Sequence, residues 1–231
     1  MKIAIDIGHG TDTKGKGIAD FKEHWFNSEV GIIVKNKLSK YNCTVYFTQP
    51  PHSKEVPLRT RVNQLNKDLP DLIWSIHANA NGNPDVNGAC CFFWGGTRIA
   101  DLYVNNLDKY GVTKHGNGRH PYKNGTWTDM AMVEDTKSLS ILTELGFFTN
   151  PEELKLLKSK EYQEKVANII VFTIVEYLSL KQNTTDYQAM YEAEHTKVLK
   201  LESKLTQIES IIKEWYYGTI WFKWNYTRHW R

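Results

Sequence analysis

Short, wholly apolar runs alternate with longer amphipathic stretches along most of this chain. Residues 2–7 read as a strand, after which Phe26, Val30, Ile33, Val34 and Leu38 recur at helical spacing to about residue 40. CTVYFTQ (43–49) reads as a second strand, and Pro57 opens a second helix carrying Leu58, Val62 and Leu65. LIWSI (72–76) stops at His77, ACCFFW (89–94) stops at Gly95-Gly96, and Ile99, Leu102, Tyr103 and Leu107 repeat as a third helix. Residues 111–135 read as a loop, LSILTELGFF (139–148) as a further strand, and Pro151 to Leu180 as one or two helices. A strand that is apolar on both sides needs cover on both sides. The expectation is therefore an α/β fold, a mostly parallel twisted sheet with helices on both faces.

A chain of 231 residues with 41% apolar and 24% charged side chains can build one full core, with about fifty residues left over. Its net charge of +3 is mild, which argues against a nucleic acid partner and suits a weakly anionic polymer. The longest uninterrupted apolar candidate, IIVFTIV at 169–175, is far too short to span a membrane. MKIAID alternates apolar and charged residues and lacks the features of a signal peptide, so synthesis in the cytoplasm without an export signal is expected. Cys43, Cys90 and Cys91 are odd in number and two are adjacent, which suits small buried hydrophobes in a reducing compartment better than a disulfide scaffold.

Composition changes after Leu180. The expected organisation is a domain over 1–180, a polar linker over 181–186 and a helical, coiled-coil-like segment over 187–231. Thr185-Asp186-Tyr187-Gln188 fits a capping box, and Tyr191, Glu194, Val198, Leu201, Leu205, Ile208, Ile212 and Trp215 step by alternating threes and fours. Such a helix either docks on its own domain or pairs with another, in a hairpin or a homo-oligomer; pairing is the favoured reading. The tail WYYGTIWFKWNYTRHWR holds four of the eight tryptophans, with Lys223, Arg228 and Arg231 interleaved. Rings at that density can stack on sugars, sit at a membrane interface or bury one another between chains.

In an open parallel sheet the carboxyl ends of the strands converge on one crevice. His9 follows the first strand, His77 ends LIWSI, Glu144 lies in LSILTE and Glu23 starts the first long helix. Each has an ordinary explanation alone: a turn histidine, a helix-terminal acid, an ion-pair member. Together, two imidazoles and a carboxylate form a common catalytic zinc set that leaves a fourth position for water, and a second carboxylate can accept a proton. A glutamate at an otherwise apolar strand end is costly unless it is paired or used. Gly8 and Gly10, on either side of His9, suit either a simple turn or the close approach of a long polymer.

The words IDIGHG, KEHWFN (Glu23 fourteen residues after His9), WSIHANA and ILTELGFFTNPEE, with PLRTRVNQLNK at 57–67, resemble the zinc-dependent N-acetylmuramoyl-L-alanine amidases of the Amidase 3 type, found in bacterial autolysins and phage endolysins. The resemblance covers about residues 1–180. It implies one Zn2+ held by His9, Glu23 and His77, Glu144 as the catalytic glutamate, and peptidoglycan as substrate, cut at the amide joining N-acetylmuramic acid to L-alanine. The chain departs from the family in lacking a proline before Gly8, which affects turn stiffness. The segment 111–135, with His115, Asn117, Arg119, His120 and Trp127, matches no recognised pattern, and His115 and His120 are expected to be polar loop residues rather than ligands. Without a visible export signal the expected setting is a phage endolysin that reaches the wall after release. A sporulation-type autolysin, a noncatalytic wall-binding relative and a zinc peptidase acting within the peptide are the alternatives.

Overall fold

The computed structural model describes residues 1–123, 130–183 and 195–210 and divides the chain into two units, Met1–Asn183 and Thr184–Arg231. In the first unit β1 (Lys2–Ile7) leads through a small hairpin, β2 (Gly17–Ile18) and β3 (Phe21–Lys22), into α1 (Glu23–Leu38). Then follow β4 (Thr44–Phe47), α2 (Leu58–Asp68), β5 (Leu72–Asn79), β6 (Ala89–Phe93) and α3 (Thr97–Lys109). The unit closes with β7 (Lys114–Pro121), α4 (Ala131–Glu134), β8 (Ser140–Phe147), α5 (Pro151–Lys158) and α6 (Lys160–Leu178). In the second unit residues 195–210 are helical. The capping box at 185–188, the outer heptad positions Tyr191, Glu194, Ile212 and Trp215, the aromatic tail and Trp127 lie outside the described residues.

Six strands form one sheet in the order β4-β1-β5-β8-β6-β7. β1 runs parallel to β4 and β5, β5 parallel to β8, and β6 parallel to β7; β6 meets β8 antiparallel. The sheet is mostly parallel, as the apolar strands require. Alternation along each strand divides it into two faces. Ile3 and Ile5 of β1 and Trp74 and Ile76 of β5 join the larger core with Val30 and Val34 of α1, Tyr103 of α3 and Ile170 of α6. Ala4 and Ile73 face the other way, onto Val62 and Leu65 of α2 and Met132 of α4. No described helix is long and apolar enough to cross a membrane, including the one that contains residues 169–175.

The structure corrects the sequence reading in several places. Residues 111–135 are not simply a loop: they contain β7 and α4. KHGNGRHP has no apolar alternation, and it becomes a strand because β6 offers it an open edge, with Gly116 and Gly118 at positive φ accommodating the irregular register. Pro57 stands at the start of α2, as its N-cap. β5 continues past His77 to Asn79, so the histidine stands within the strand. Of the one or two helices expected between Pro151 and Leu180 there are two, separated at Ser159, whose hydroxyl caps α6 through Tyr162 N–H.

The face that carries α2 is polar towards its carboxyl end. Asp6 and Arg61 are 1% and 4% exposed and meet at 2.5 Å, Ser75 Oγ donates to Asp6 Oδ2 at 2.6 Å, and Arg61 Nε donates to the Val56 carbonyl at 3.0 Å. Burial pushes the Asp6 carboxyl up, but the Arg61 guanidinium and the hydroxyls of Ser75 and Thr48 outweigh it and hold the group below the usual carboxylate range. Removing one member of a buried pair strands the other charge. Arg61→Met is expected to destabilise the protein by about 3–5 kcal/mol in urea unfolding, and Asp6→Asn/Arg61→Met by less, since neither charge then remains. The folded pKa lies below the unfolded one, so the stabilisation is present above pH ~4 and is lost as pH falls through the folded value. Stability measured down that range should decline less in the double variant than in the parent.

Candidate metal centre

β1 ends at Ile7, and the chain then turns through Gly8-His9-Gly10. His9 has φ +60°, a left-handed conformation costing a non-glycine residue about 1–3 kcal/mol and sustained only where its surroundings enforce it. Here they do. Gly8 N–H donates to the Ile76 carbonyl at 3.1 Å, and the Gly8 carbonyl accepts from Asn27 Nδ2 at 3.1 Å and His24 Nδ1 at 3.2 Å. Gln49 Nε2 donates to the carbonyls of both Ile7 and His9 at 2.5 Å, while its Oε1 accepts from Val56 N–H at 2.8 Å. Asn27, His24 and Gln49 are all buried.

The flanking glycines serve this packing. A Cβ on Gly8 would lie 2.2 Å from His77 Cε1, and one on Gly10 would lie 2.1 Å from the Glu55 amide nitrogen. Both are required by the close approach of the protein to itself. The approach of a polymer, considered from the sequence, is not needed to explain either.

Three separate elements bring the expected residues together. His77 is register-paired with Glu144 on the adjacent parallel strand β8, so both side chains issue from one face of the sheet. Glu23, the first residue of α1, is set by the β2–β3 hairpin, its N–H donating to the Lys16 carbonyl at 3.2 Å. Glu23 Oε1 stands 3.3 Å from His9 Nε2, 3.0 Å from His77 Nδ1 and 3.3 Å from Ala78 N. The two imidazole rings lie edge to face with centroids 5.0 Å apart. One ligand atom from each of His9, Glu23 and His77 falls within 4.8 Å of the others; among the described residues this is the group able to hold a metal ion.

The donor set fits a divalent cation. Glu23 Oε2 is buried with no hydrogen-bond partner, an unmet demand inside a protein that a cation satisfies. Burial alone would raise Glu23, yet hydrogen bonds from His77 and His9 hold it well below the usual range. Burial would lower His77, and the Glu23 carboxylate beside it raises it instead. Glu144 goes the other way: burial, with Glu23 adding to it, pushes its pKa up to about 8. Its Oε2 is sealed from solvent and unpartnered, although the side chain as a whole retains some exposure. A cavity of about 120 Å³ lined by His9, His77, Glu55, Arg61, Met130 and Leu142 adjoins the centre.

The remaining candidates lie apart from this group. His115 Nδ1 donates to the Asn87 carbonyl at 3.2 Å, His120 stacks on Phe92 at 4.9 Å, Asn117 Oδ1 accepts from Arg119 N–H at 2.9 Å, and Arg119 pairs with Asp101 at 2.7 Å. Cys43, Cys90 and Cys91 are free thiols; Cys90 and Cys91 are buried, and burial pushes Cys91 up to about 12, so neither is a nucleophile at neutral pH. Sequence reading missed His24, Asn27 and Gln49. The signal was present: His24, Asn27 and Ser28 form a polar stripe at i, i+3 and i+4 on the first turns of α1, and Gln49 ends an apolar strand run.

Residues 3–176 match the family model described as N-acetylmuramoyl-L-alanine amidase. The chain belongs to that family. It is an amidase of the kind that acts on peptidoglycan. It is 26% identical over 200 residues to the germination-specific N-acetylmuramoyl-L-alanine amidase of Bacillus subtilis, covering 78% of this chain and 80% of that one. The endolysin of Bacillus phage SPP1 is 25% identical over 194 residues, covering 79% and 68%. Among solved structures, the catalytic domain of the amidase CwlV from Bacillus (Paenibacillus) polymyxa var. colistinus superposes with a TM-score of 0.69 at 25% identity, covering 78% of this chain and 99% of that domain. The second unit lies beyond the residues that the family model matches.

If the amidase needs Gly8 to seat His77, Gly8→Ala should leave the far-ultraviolet circular dichroism unchanged and weaken divalent-metal binding at least tenfold, as titrated calorimetrically with Zn2+. Gly82→Ala, whose Cβ would meet nothing within 4 Å, should bind as the parent does.

Proposed function

We propose that the amidase is zinc-dependent, with His9, Glu23 and His77 holding one Zn2+ and Glu144 carrying the proton. The observation behind this reading is the convergence of those three donors on one point, with Glu144 in register beside His77. Zinc in such a set acts as a Lewis acid, polarising a carbonyl and lowering the pKa of a bound water to about 7. The scissile bond is the amide between the lactyl carbonyl of N-acetylmuramic acid and the nitrogen of L-alanine.

Glu144 must be ionised to begin. It accepts a proton from the attacking water as the oxygen adds to the carbonyl carbon, and returns it to the alanine nitrogen as the C–N bond breaks. Hydroxyl ends on the lactyl carbon, hydrogen on the amine, and Glu144 is unchanged. A cation in the triad opposes the burial that raises Glu144, so metal loading favours the ionised form the reaction needs. His24, Asn27 and Gln49 act on the reaction through the turn they hold at His9.

For biological setting we favour phage lysis, supported by the likeness to the SPP1 endolysin. The enzyme would then reach the wall only after release from the cell interior. The likeness to the germination-specific enzyme favours a second reading, a bacterial autolysin with the same chemistry. Its genetic neighbourhood separates them: a gene set among phage lysis genes marks an endolysin, one set among a bacterium's own wall or spore genes an autolysin.

Digestion of purified peptidoglycan should release stem peptides with free alanine N-termini and leave intact lactyl carboxylates, identified by mass spectrometry. A cut within the stem would identify a peptidase instead. Glu144→Gln should retain zinc and lose turnover by about 10²–10⁴-fold, whereas His77→Ala should lose both zinc and turnover. Full lytic activity in Glu144→Gln would remove Glu144 from its role.

A further inference from the structure

The helix at 195–210 is exposed along its whole length. Val198, Leu201, Leu205 and Ile208 are 48%, 65%, 57% and 53% exposed. Their spacing of three, four and three puts them on one stripe, with Val198 and Leu205 at heptad position a and Leu201 and Ile208 at position d. An unpaired apolar stripe of that kind needs a partner surface.

The charges beside the stripe identify the partner. In this register Lys197 and Lys204 occupy position g, and Glu202 and Glu209 occupy position e. When two identical helices lie parallel and in register, each g residue faces the e residue of the following heptad on the other helix. Lys197 then stands opposite Glu202 of the second copy, and Lys204 opposite Glu209 of the second copy. All four pairings across the two seams join opposite charges. Antiparallel packing instead places g against g and e against e, lysine against lysine and glutamate against glutamate.

We infer that the 195–210 helix is a parallel, in-register self-association surface whose occupant is the same helix of a second copy of this chain. Rim charges contribute little affinity singly, but their arrangement fixes orientation and partner. In sequence the same spacing continues at Tyr191, Ile212 and Trp215, which lie outside the described residues. Where the proposed wall activity also holds, tethered catalytic units on one polymer gain effective concentration without any new contact to substrate. The self-association itself does not depend on that reading.

The test uses the full chain. Sedimentation velocity at micromolar concentrations should give a mass at least twice that of the monomer. Lys197→Glu/Lys204→Glu alone and Glu202→Lys/Glu209→Lys alone should each sediment as monomers, and their equimolar mixture should regain the larger mass. In a Cys43→Ser background, Leu201→Cys and Ile208→Cys should each cross-link to itself on oxidation. An antiparallel pairing can centre on only one of those positions and so cannot cross-link both. A monomeric parent, charge reversals without effect, or self-cross-linking at only one position overturns the inference; none of these outcomes bears on whether the first unit cleaves the amide.

Discussion

One buried carboxylate ties the functional half of the fold together. Glu23 Oε1 lies within 3.3 Å of His9, His77 and the Ala78 amide, and so links the turn after β1, the start of α1 and the upper part of β5. A carboxylate that is 1% exposed carries a large desolvation cost, which hydrogen bonds from two imidazoles offset only if both stay in place. The left-handed His9 and the strictly small Gly8 follow from that requirement. One sets the direction of the first imidazole, and the other leaves room for the second.

The same face of the sheet explains why the centre is so well anchored. Asp6 and Ser75 stand two residues before the turn and two before His77, at positions that alternate onto the α2 side. Arg61 clamps them from α2, and Gln49 reaches from the end of the neighbouring strand to the carbonyls of Ile7 and His9. A metal centre tolerates errors of only a few tenths of an ångström. Here the backbone bearing the candidate ligands is fixed by buried polar bonds from α2, from Gln49 and, through His24 and Asn27, from α1.

Much of this was legible in the sequence, for definable reasons. Apolar runs showed where most strands lie, and His9, Glu23, His77 and Glu144 could be placed at one address because the carboxyl ends of parallel strands converge. The strand β7 was hidden because KHGNGRHP carries no alternation and owes its conformation to the edge of β6. The purpose of Gly8 was hidden for a related reason: its constraint comes from a histidine 69 positions away, and no local pattern records it. Gln49 and Arg61 are ordinary polar residues in sequence and become exceptional only when burial is known.

Glu144, the proton carrier of the proposed reaction, shows how surroundings set the protonation of a buried carboxyl. Burial raises its carboxyl to about 8, and a neutral carboxylic acid cannot take a proton. Because Glu23 is held ionised, its charge adds to the rise, so the two carboxylates are set apart in their protonation although both face His77. A divalent charge held among His9, Glu23 and His77 would oppose that rise. In the proposed reaction a cation held there would favour the ionised Glu144 that proton transfer needs.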